Sequence, residues 1–424
     1  MKKLIICTVF IFTLSLQGAF AGSELELKDA FQKALKRSET VALSAEEMAL
    51  AQARFYRAFD YFLPKVHFEA SQMWQDATGD AGASADVSNA QRRTVPESKF
   101  VFSQPLFSGF RELAALQSSG ADKKRQWYAW KRAKEILFMN VMESFYTVLA
   151  AEKDAEVLTS THELLAQRLK ELEERVSLGK SRDSEMKTSF ADLKLIESDL
   201  VDSRRQVAAA KNLLEFYLGE PLDDRALQEA EEEEFPAEGS AAEQAMKRFD
   251  VMSDEAAYRV AEKKIMLANG DLFPTIRLDG DYYTRRVGFQ SGNDWDVTLT
   301  LDVPIFEIGD TLGDIKEAHA NSEKARLQYS QTQRLAQLDI RNAVEELEAL
   351  RVSEKALHDA DRASTENYVS LSEEYRTNRA NNLEVLDSLR RYQEVQRRYR
   401  AAYYAARKGY WKWRVAIGGV KVDS

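Results

Sequence analysis

Apolar positions recur at helical spacing along most of this chain, but between Asp271 and Phe306 (DLFPTIRLDGDYYTRRVGFQSGNDWDVTLTLDVPIF) the period drops to two. Ile276, Leu278, Gly280 and Tyr282 fall on one side, and Arg277, Asp279, Asp281 and Tyr283 on the other. Further on, Trp295, Val297, Leu299, Leu301 and Val303 alternate with Asp296, Thr298, Thr300 and Asp302. Successive side chains of a strand point to opposite faces, so the pattern predicts two strands with one apolar and one polar face. The polar stretch Gly288–Asp294 supplies the turn between them. Strands of about ten residues with these two faces suit a barrel that meets lipid outside and water inside. Ile276, Leu278, Val297, Leu299 and Leu301 would then face lipid. A half-buried hairpin in a soluble sandwich shows the same alternation, so the hairpin alone leaves both readings open.

The strands belong to a repeated unit. Leu63-Pro64 and Phe273-Pro274 lie 210 residues apart, as do Val41 and Val251. Gln104-Pro105-Leu106-Phe107 and Val303-Pro304-Ile305-Phe306 lie 199 apart, as do Leu218-Gly219 and Ile417-Gly418. The offset shortens only between the paired strands, which makes Gln75–Val95 the longer hairpin loop, where a surface insertion is tolerated. The first unit reads as a helix (Leu25–Phe62), a strand (Leu63–Gln75), a return strand (Ser98–Phe107), a very long helix (Arg111–Leu178) and a last helix (Ser181–Leu218). The second repeats that order over Ala241–Gly270, Leu272–Arg285, Trp295–Phe306, Leu312–Thr377 and Leu383–Ile417. Met186, Phe190, Leu193 and Leu200 mark an apolar stripe on one of the last helices. A long helix of this size spans about 100 Å, and the first and last helices together about 110 Å. Two short helices end to end would therefore flank one long antiparallel neighbour, and a helix that long needs partners along its length. The expected organisation is a signal peptide (1–21), a first repeat (22–219), an acidic linker (220–240), a second repeat (241–418) and a C-terminal tail (419–424).

Composition narrows the compartment. Lys2 and Lys3, the apolar run Leu4–Leu16 and Ala19-Phe20-Ala21 have the form of a secretory signal peptide, so the mature chain is expected to begin at Gly22. The one cysteine, Cys7, lies inside that signal, so the mature chain is expected to have no disulfide, thiolate ligand or lipid-bearing cysteine. No later apolar run is long enough for a spanning helix. The net charge of −10 argues against nucleic acid as a partner. With 30% charged residues, 18 glycines and 7 prolines, the chain suits long charged helices with few turns. His67, His162, His319 and His358 are scattered, and no nucleophile elbow, P-loop or dinucleotide fingerprint occurs, so no metal, cofactor or enzymatic activity is expected. The aromatic residues Tyr403, Tyr404, Tyr410, Trp411 and Trp413 are expected to pack between helices. Finally, four strands cannot close a barrel, and open edges are not tolerated in hydrocarbon. Two chains would give eight strands around a filled lumen, and three would give twelve around an open one.

Taken together, the repeated order, the strand entries Leu63-Pro64 and Phe273-Pro274, and the run Gln104-Pro105-Leu106-Phe107-Ser108-Gly109 resemble the TolC-like outer-membrane efflux protein family. A helix-tip pattern adds to the resemblance: a turn led by Arg or Tyr, containing Gly, with an acidic residue six places later. Here Gly179 precedes Glu185 and Asn378 precedes Glu384. The resemblance covers the whole mature chain. It implies a mixed, mainly α fold in which a homotrimer forms a twelve-stranded transmembrane β-barrel in the outer membrane, continuous with an α-helical tunnel in the periplasm. It further implies docking to a periplasmic adaptor (membrane fusion) protein and an inner-membrane RND or ABC transporter, as the exit duct of tripartite efflux or type I secretion. By the same resemblance Arg175, Leu178, Gly179, Ser184, Glu185, Tyr375, Asn378 and Arg379 form the tip turns and adaptor contact. Glu384 and Asp387, three apart and so on one helix face, would form an acidic ring at the periplasmic gate, and such rings favour cations. Two positions depart from the family pattern. Asn378 stands where glycine is frequent, and asparagine tolerates the left-handed backbone of a tight turn. Ala380 stands where members can carry an arginine that helps hold the tip shut, with Arg379 one residue early. A periplasmic coiled-coil adaptor or spacer without a pore is the competing reading; it accounts for the helices but not for matched pairs of amphipathic strands.

Overall fold

The computed structural model describes residues 24–75, 94–223, 225–229, 240–287, 292–305 and 308–420. The expected signal peptide, most of the Gln75–Val95 loop, the acidic run Glu231–Glu234, part of the turn Gly288–Asp294, Phe306 and the last residues of the tail lie outside them. The elements are β1 (Leu25–Glu26), α1 (Leu27–Arg37), α2 (Glu39–Asp60), β2 (Lys65–Trp74), β3 (Thr94–Ser108), α3 (Arg111–Ser177) and α4 (Asp183–Leu218). There follow β4 (Leu227–Gln228), α5 (Ala241–Met246), α6 (Phe249–Asn269), a 3-10 turn (Gly270–Leu272), β5 (Thr275–Arg285), β6 (Trp295–Asp302), α7 (Ile308–Arg376) and α8 (Asn382–Ala416). The order helix, strand, strand, long helix, helix thus occurs twice. The long helices α3 and α7 have 67 and 69 residues.

Each entry helix is broken where the sequence suggests one continuous helix. Ser38 separates α1 from α2 and accepts a hydrogen bond from Val41 N at 3.3 Å. Its side chain satisfies an N-terminal amide that would otherwise lack a partner, so a new helix starts there. The second break lies between α5 and Arg248, the N-cap of α6. Pro64 and Pro274 end these segments, because the residue before proline is pushed out of the helical region. Phe273 accordingly is extended, at φ −98° and ψ 151°. The last strand is shorter than its alternation suggests: β6 stops at Asp302, one residue before Val303-Pro304, and a proline cannot donate to the ladder.

The chain forms two compact units, with α3 running through both. One contains α1, the part of α3 from Val141 onward, α4, and the short parallel pair β1–β4. Leu158, Leu165 and Leu172 of α3 and Leu193, Ile196, Leu200 and Leu214 of α4 are buried there. Full burial of each is worth roughly 1.5–3 kcal/mol. The stripe on α4 differs from the one expected. Ser189, Asp192, Leu193, Ile196, Leu200 and Ser203 face inward, while Phe190 is half exposed. Residues 189, 193, 196, 200 and 203 keep the 3.6-residue period, and Phe190 stands about 100° away from them, under the Lys194 ammonium 5.5 Å from its ring.

The second unit holds α2, a four-stranded sheet, α3 up to Asn140, and α5 to α8. Here α7 packs against α8 over one part of its length and against α5 and α6 over another, so two shorter partners flank one long helix. Where the partners meet, Ala245 and Val251 from the entry side and Ala416 and Ile417 from α8 bury together against Ala336 and Ile340 of α7. This joint is the mid-length core of the unit.

A second junction carries the helices into the sheet. Gly109 has φ +64°, and a Cβ there would stand 2.2 Å from the carbonyl oxygen of Gly270. The strand-to-helix turn of the first repeat therefore rests directly on the helix-to-strand turn of the second. Around this contact Phe110 stacks edge-on with Phe107 at 5.2 Å and Phe273 at 6.3 Å, and Arg111 pairs with Asp271. Gly179, at φ +68°, has nothing within 4 Å of the same position. Gly179→Ala should cost only the left-handed backbone penalty of about 1–2 kcal/mol, whereas Gly109→Ala should cost more because two backbones must separate as well. Denaturant midpoints of the two variants measure this; equal shifts would mean that the Gly109–Gly270 contact is not what demands glycine.

Candidate functional site

The sheet is the first candidate region. Its strands run antiparallel in the order β2-β3-β5-β6, so the inner pair joins the hairpins of the two repeats. The register places Ile276 opposite Leu301, Leu278 opposite Leu299, Gly280 opposite Val297 and Tyr282 opposite Trp295. This is the pairing that puts both apolar sets on one face. In the first hairpin Val66 pairs with Phe102 and Phe68 with Phe100, their rings 5.2 Å apart. The apolar face is bare: Val297, Leu299 and Leu301 are 58%, 64% and 63% exposed. Ile276 and Leu278, on the inner strand β5, are half-buried between neighbouring strands.

The opposite face is bound by charge and hydroxyl contacts. Lys99 Nζ lies 2.8 Å from Asp281 Oδ2, Ser103 Oγ donates to Asp279 Oδ1 at 2.7 Å, and Arg277 Nε donates to Asp279 Oδ2 at 2.7 Å. Tyr283 Oη donates to Asp296 Oδ2 at 3.0 Å. These contacts cross from β3 through β5 to β6, so the polar face is a connected ladder that fixes the register of the two repeats against one another. The outer edges of β2 and β6 have no strand partner among the described residues.

The helix tips are the second region. At the first, Gly179 takes the left-handed conformation, Lys180 N donates to Arg175 O at 2.8 Å, and Gly179 N to Val176 O at 2.9 Å. At the second, Asn378 takes φ +59°, Arg379 N donates to Glu374 O at 2.8 Å, and Asn378 N to Tyr375 O at 3.0 Å. The two turns are the same backbone motif, which caps the free carbonyls of a helix end, and asparagine serves at Asn378 as expected. Leu178 is exposed and Ser184 lies at the surface of the first turn of α4, while Glu185 accepts from Ser181 Oγ. Tyr375 is buried and supports its turn from within. Arg379 Nε donates to Thr377 Oγ1 at 3.0 Å, which holds its guanidinium against its own turn.

Glu384 and Asp387 share an exposed side of α8. Sequence spacing did not assign Glu384 a second role that the structure adds. Asn381 caps α8, accepting from Glu384 N at 2.9 Å, and Glu384 Oε2 accepts from Asn381 N at 2.9 Å. This reciprocal capping box was legible as Asn381-x-x-Glu384. On the inner side of the same turn Val385, Leu386 and Leu389 are buried.

A third feature was missed. Phe59, Tyr61, Phe62, Leu63, Phe110 and Phe273 are exposed apolar side chains gathered at the helix–strand junctions. The clustered run Phe59-Asp60-Tyr61-Phe62-Leu63 was the available signal. The C-terminal aromatics do pack between helices: Tyr404 and Tyr410 are buried, and Trp411 meets Phe138 at 5.6 Å. Among the described residues no group of three or more His, Cys, Asp or Glu could hold a metal ion, and no helix is long and apolar enough to cross a membrane.

Residues 242–418 match the family model described as outer membrane efflux protein. The outer membrane protein OprJ of Pseudomonas aeruginosa is 28% identical over 159 residues, a match spanning 36% of this chain and 33% of OprJ. The chain thus aligns with about a third of the length of that curated relative. Among solved structures, the Campylobacter jejuni CmeC outer membrane channel superposes with a TM-score of 0.81 at 17% identity, over 94% of this chain and 87% of CmeC. VceC of Vibrio cholerae gives 0.81 at 17% identity over 93% and 96% of the two chains. The Neisseria gonorrhoeae MtrE outer membrane channel, in its open state, gives 0.75 at 19% identity over 94% and 90%. At these identities the structures speak for the fold. Over its second repeat the chain thus matches the outer membrane efflux protein family model, and over nearly its whole length it has the fold of the solved outer membrane channels.

Proposed function

We propose that the chain is one subunit of an outer-membrane exit duct for tripartite efflux or type I secretion, closed by three copies. The observation that carries this reading is a sheet with an exposed apolar face, a charge-lined opposite face and two bare edges. In hydrocarbon those edges must pair, and further copies of the chain can supply the strands. Two copies would make eight strands, whose interior is just filled by side chains. The long side chains of Lys99, Arg277 and Tyr283 on the inner face, engaged with Asp279, Asp281 and Asp296, ask for a wider, watered lumen, which twelve strands supply. The collar of Phe59, Tyr61, Phe62, Phe110 and Phe273 suits the lipid–water boundary at the periplasmic rim. A pore-free spacer has no use for such a sheet. The tip turns, with Leu178 and Leu383 exposed beside Gly179 and Asn378, are the surfaces offered to a periplasmic adaptor, and through it to an RND or ABC transporter.

Insertion tests the faces. Leu299→Arg should impair outer-membrane assembly, since an arginine at the lipid midplane costs about 2–4 kcal/mol. Thr300→Arg, on the polar face, should be tolerated. Membrane fractionation with native-gel detection of the oligomer compares them, and equal defects would reverse the face assignment.

Glu384 and Asp387 from three copies are proposed to line the periplasmic end of the tunnel. Crowded carboxylates repel one another, and a multivalent cation relieves that repulsion. Because Glu384 also closes a capping box, alanine would confound charge with helix stability. Glutamine can fill the same capping position and lacks the charge. The double variant Glu384→Gln, Asp387→Asn should therefore fold normally and lose block by trivalent cations from the periplasmic side in planar-bilayer recording. The parent's block should weaken as salt rises. Undiminished block in the variant would place the cation elsewhere.

A further inference from the structure

Away from the sheet and tips, a charged cluster is enclosed at the joint where α5, α6 and α8 meet the middle of α7. Arg248, the N-cap of α6, is only 4% exposed. Its guanidinium grips Asp250 through Nε–Oδ1 at 3.1 Å and Nη2–Oδ2 at 2.6 Å, and reaches Asp339 Oδ2 of α7 at 3.2 Å. From α3, Arg132 Nη2 comes within 3.6 Å of Asp250 Oδ2, and Arg132 Nη1 donates to Glu135 Oε2 at 2.8 Å. Glu135 is 1% exposed, the most enclosed carboxylate of the group. Lys131 and Lys134, on the same helix, lie over Trp127 and Trp130. On α8, Arg414 is held by Tyr410 Oη and Gly419 O.

The carboxylates of this cluster differ in their surroundings. Two guanidiniums, Arg132 and Arg248, serve three carboxylates, Glu135, Asp250 and Asp339. Asp250 receives both guanidiniums and the Val251 amide at 2.9 Å. Asp339 opens to water, its side chain 54% exposed. Glu135 is the carboxylate with almost no solvent, and Arg132 Nη1 donates to it. An ionised carboxylate in that setting is costly, and binding a proton removes the cost.

We propose that Glu135 is a proton-binding site that makes this joint sensitive to acidity, firmest in mildly acidic medium and loosened as the carboxyl ionises. The electrostatics agree in sign. Burial, aided by the charge of Asp250, pushes the Glu135 carboxyl above its ordinary range, against the hydrogen bond and charge of Arg132. A carboxyl raised in the folded state stabilises the fold while protonated, and that contribution is lost as pH rises through the folded pKa. Asp250 runs the other way. Burial alone would push it up, but the Arg248 hydrogen bond and the charges of Arg132 and Arg248 outweigh burial and hold it below its ordinary range. Its contribution persists through neutral pH and is lost only in stronger acid. Above the ordinary carboxylate range, Glu135 is thus the member whose state changes.

The 210-residue offset between the repeats places Ser38 and Thr40 where Arg248 and Asp250 stand. The sensitivity therefore belongs to the joint of the second repeat and not to the repeated unit.

Glu135→Gln keeps the shape of the neutral acid and cannot ionise. In thermal unfolding of the full detergent-solubilised protein, the parent should melt several degrees below the variant at about pH 8, and the gap should close towards about pH 5. The infrared difference spectrum between those two conditions should contain the carbonyl stretch of a buried carboxylic acid in the parent and lack it in the variant. A parent more stable than the variant at the higher pH would overturn the proposal, since the ionised pair would then be favourable. So would equal melting at both pH values, or a carboxylic-acid band that survives the substitution.

Discussion

A sheet that shows an apolar face to lipid cannot stop at an edge. Each unpaired amide or carbonyl at the border of β2 or β6 would sit in hydrocarbon with no water to meet it, at a cost of several kcal/mol per group. In the proposed barrel, closure removes that cost for every edge group at once. The polar ladder of Lys99, Asp281, Ser103 and Asp279 locks β3 to β5, so the four strands keep one register. A slip of one residue would send Leu299 and Leu301 to the charged face and Asp296 and Thr298 to the apolar one. The charge contacts and the apolar face therefore specify one register from opposite sides.

The helices face a related problem along their length. A helix of 69 residues buries too little on its own to persist, so it must be covered from end to end. Among the described residues α8 covers one part of α7, α5 and α6 cover another, and these shorter partners meet in the middle. Such a meeting point exposes the free amides of one helix and the free carbonyls of another. In the second repeat it is sealed by Ala245, Val251, Ala336, Ile340, Ala416 and Ile417, with the charged cluster around Arg248 beside it. Arg248 and Asp250 lie at the start of α6, where Asp250 accepts from the Val251 amide. The same carboxylate thus satisfies a helix end and neutralises a buried cation.

What was legible in the sequence follows from the range over which each signal acts. Strand faces depend on residues two apart, and the β5–β6 register sets the two apolar series opposite one another from Ile276–Leu301 to Tyr282–Trp295. Turn chemistry at Gly179 and Asn378 is also local, and its backbone was readable from residue type. Phe190 was misread because a stripe of steps three and four was drawn through the largest apolar residue. The buried side of α4 instead runs through Ser189, Asp192 and Ser203, polar residues that hydropathy does not mark. The Ser38 and Lys247–Arg248 breaks were hidden for a similar reason, since the apolar period continues across both. Glu135 was beyond reach. Its burial depends on Arg248 and Asp250, more than a hundred positions away, and nothing adjacent to it marks it off from the other glutamates of a charged helix.

The two repeats show which constraints outlast divergence. Gly179 and Asn378 differ in chemistry yet hold nearly the same φ, +68° and +59°, because the turn between two antiparallel helices admits few backbones. Ser38 and Arg248 also occupy equivalent breaks, both extended at the N-cap, but one uses a hydroxyl on its own helix and the other bridges to α7. Along the α3–α4 packing Leu158, Leu165, Leu172, Leu193 and Leu200 are buried with Ser189 and Asp192, whereas between α7 and α8 Leu347, Val385, Leu386 and Leu389 are buried with Ser364, Ser388 and Asn382, and Tyr368 stacks on Tyr392 at 5.6 Å. Backbone geometry is held by sterics that no nearby substitution can relieve. Side-chain chemistry at the same places is free to change, provided each buried polar group finds a partner. A duplicated chain can therefore keep one architecture while giving its two copies different interiors.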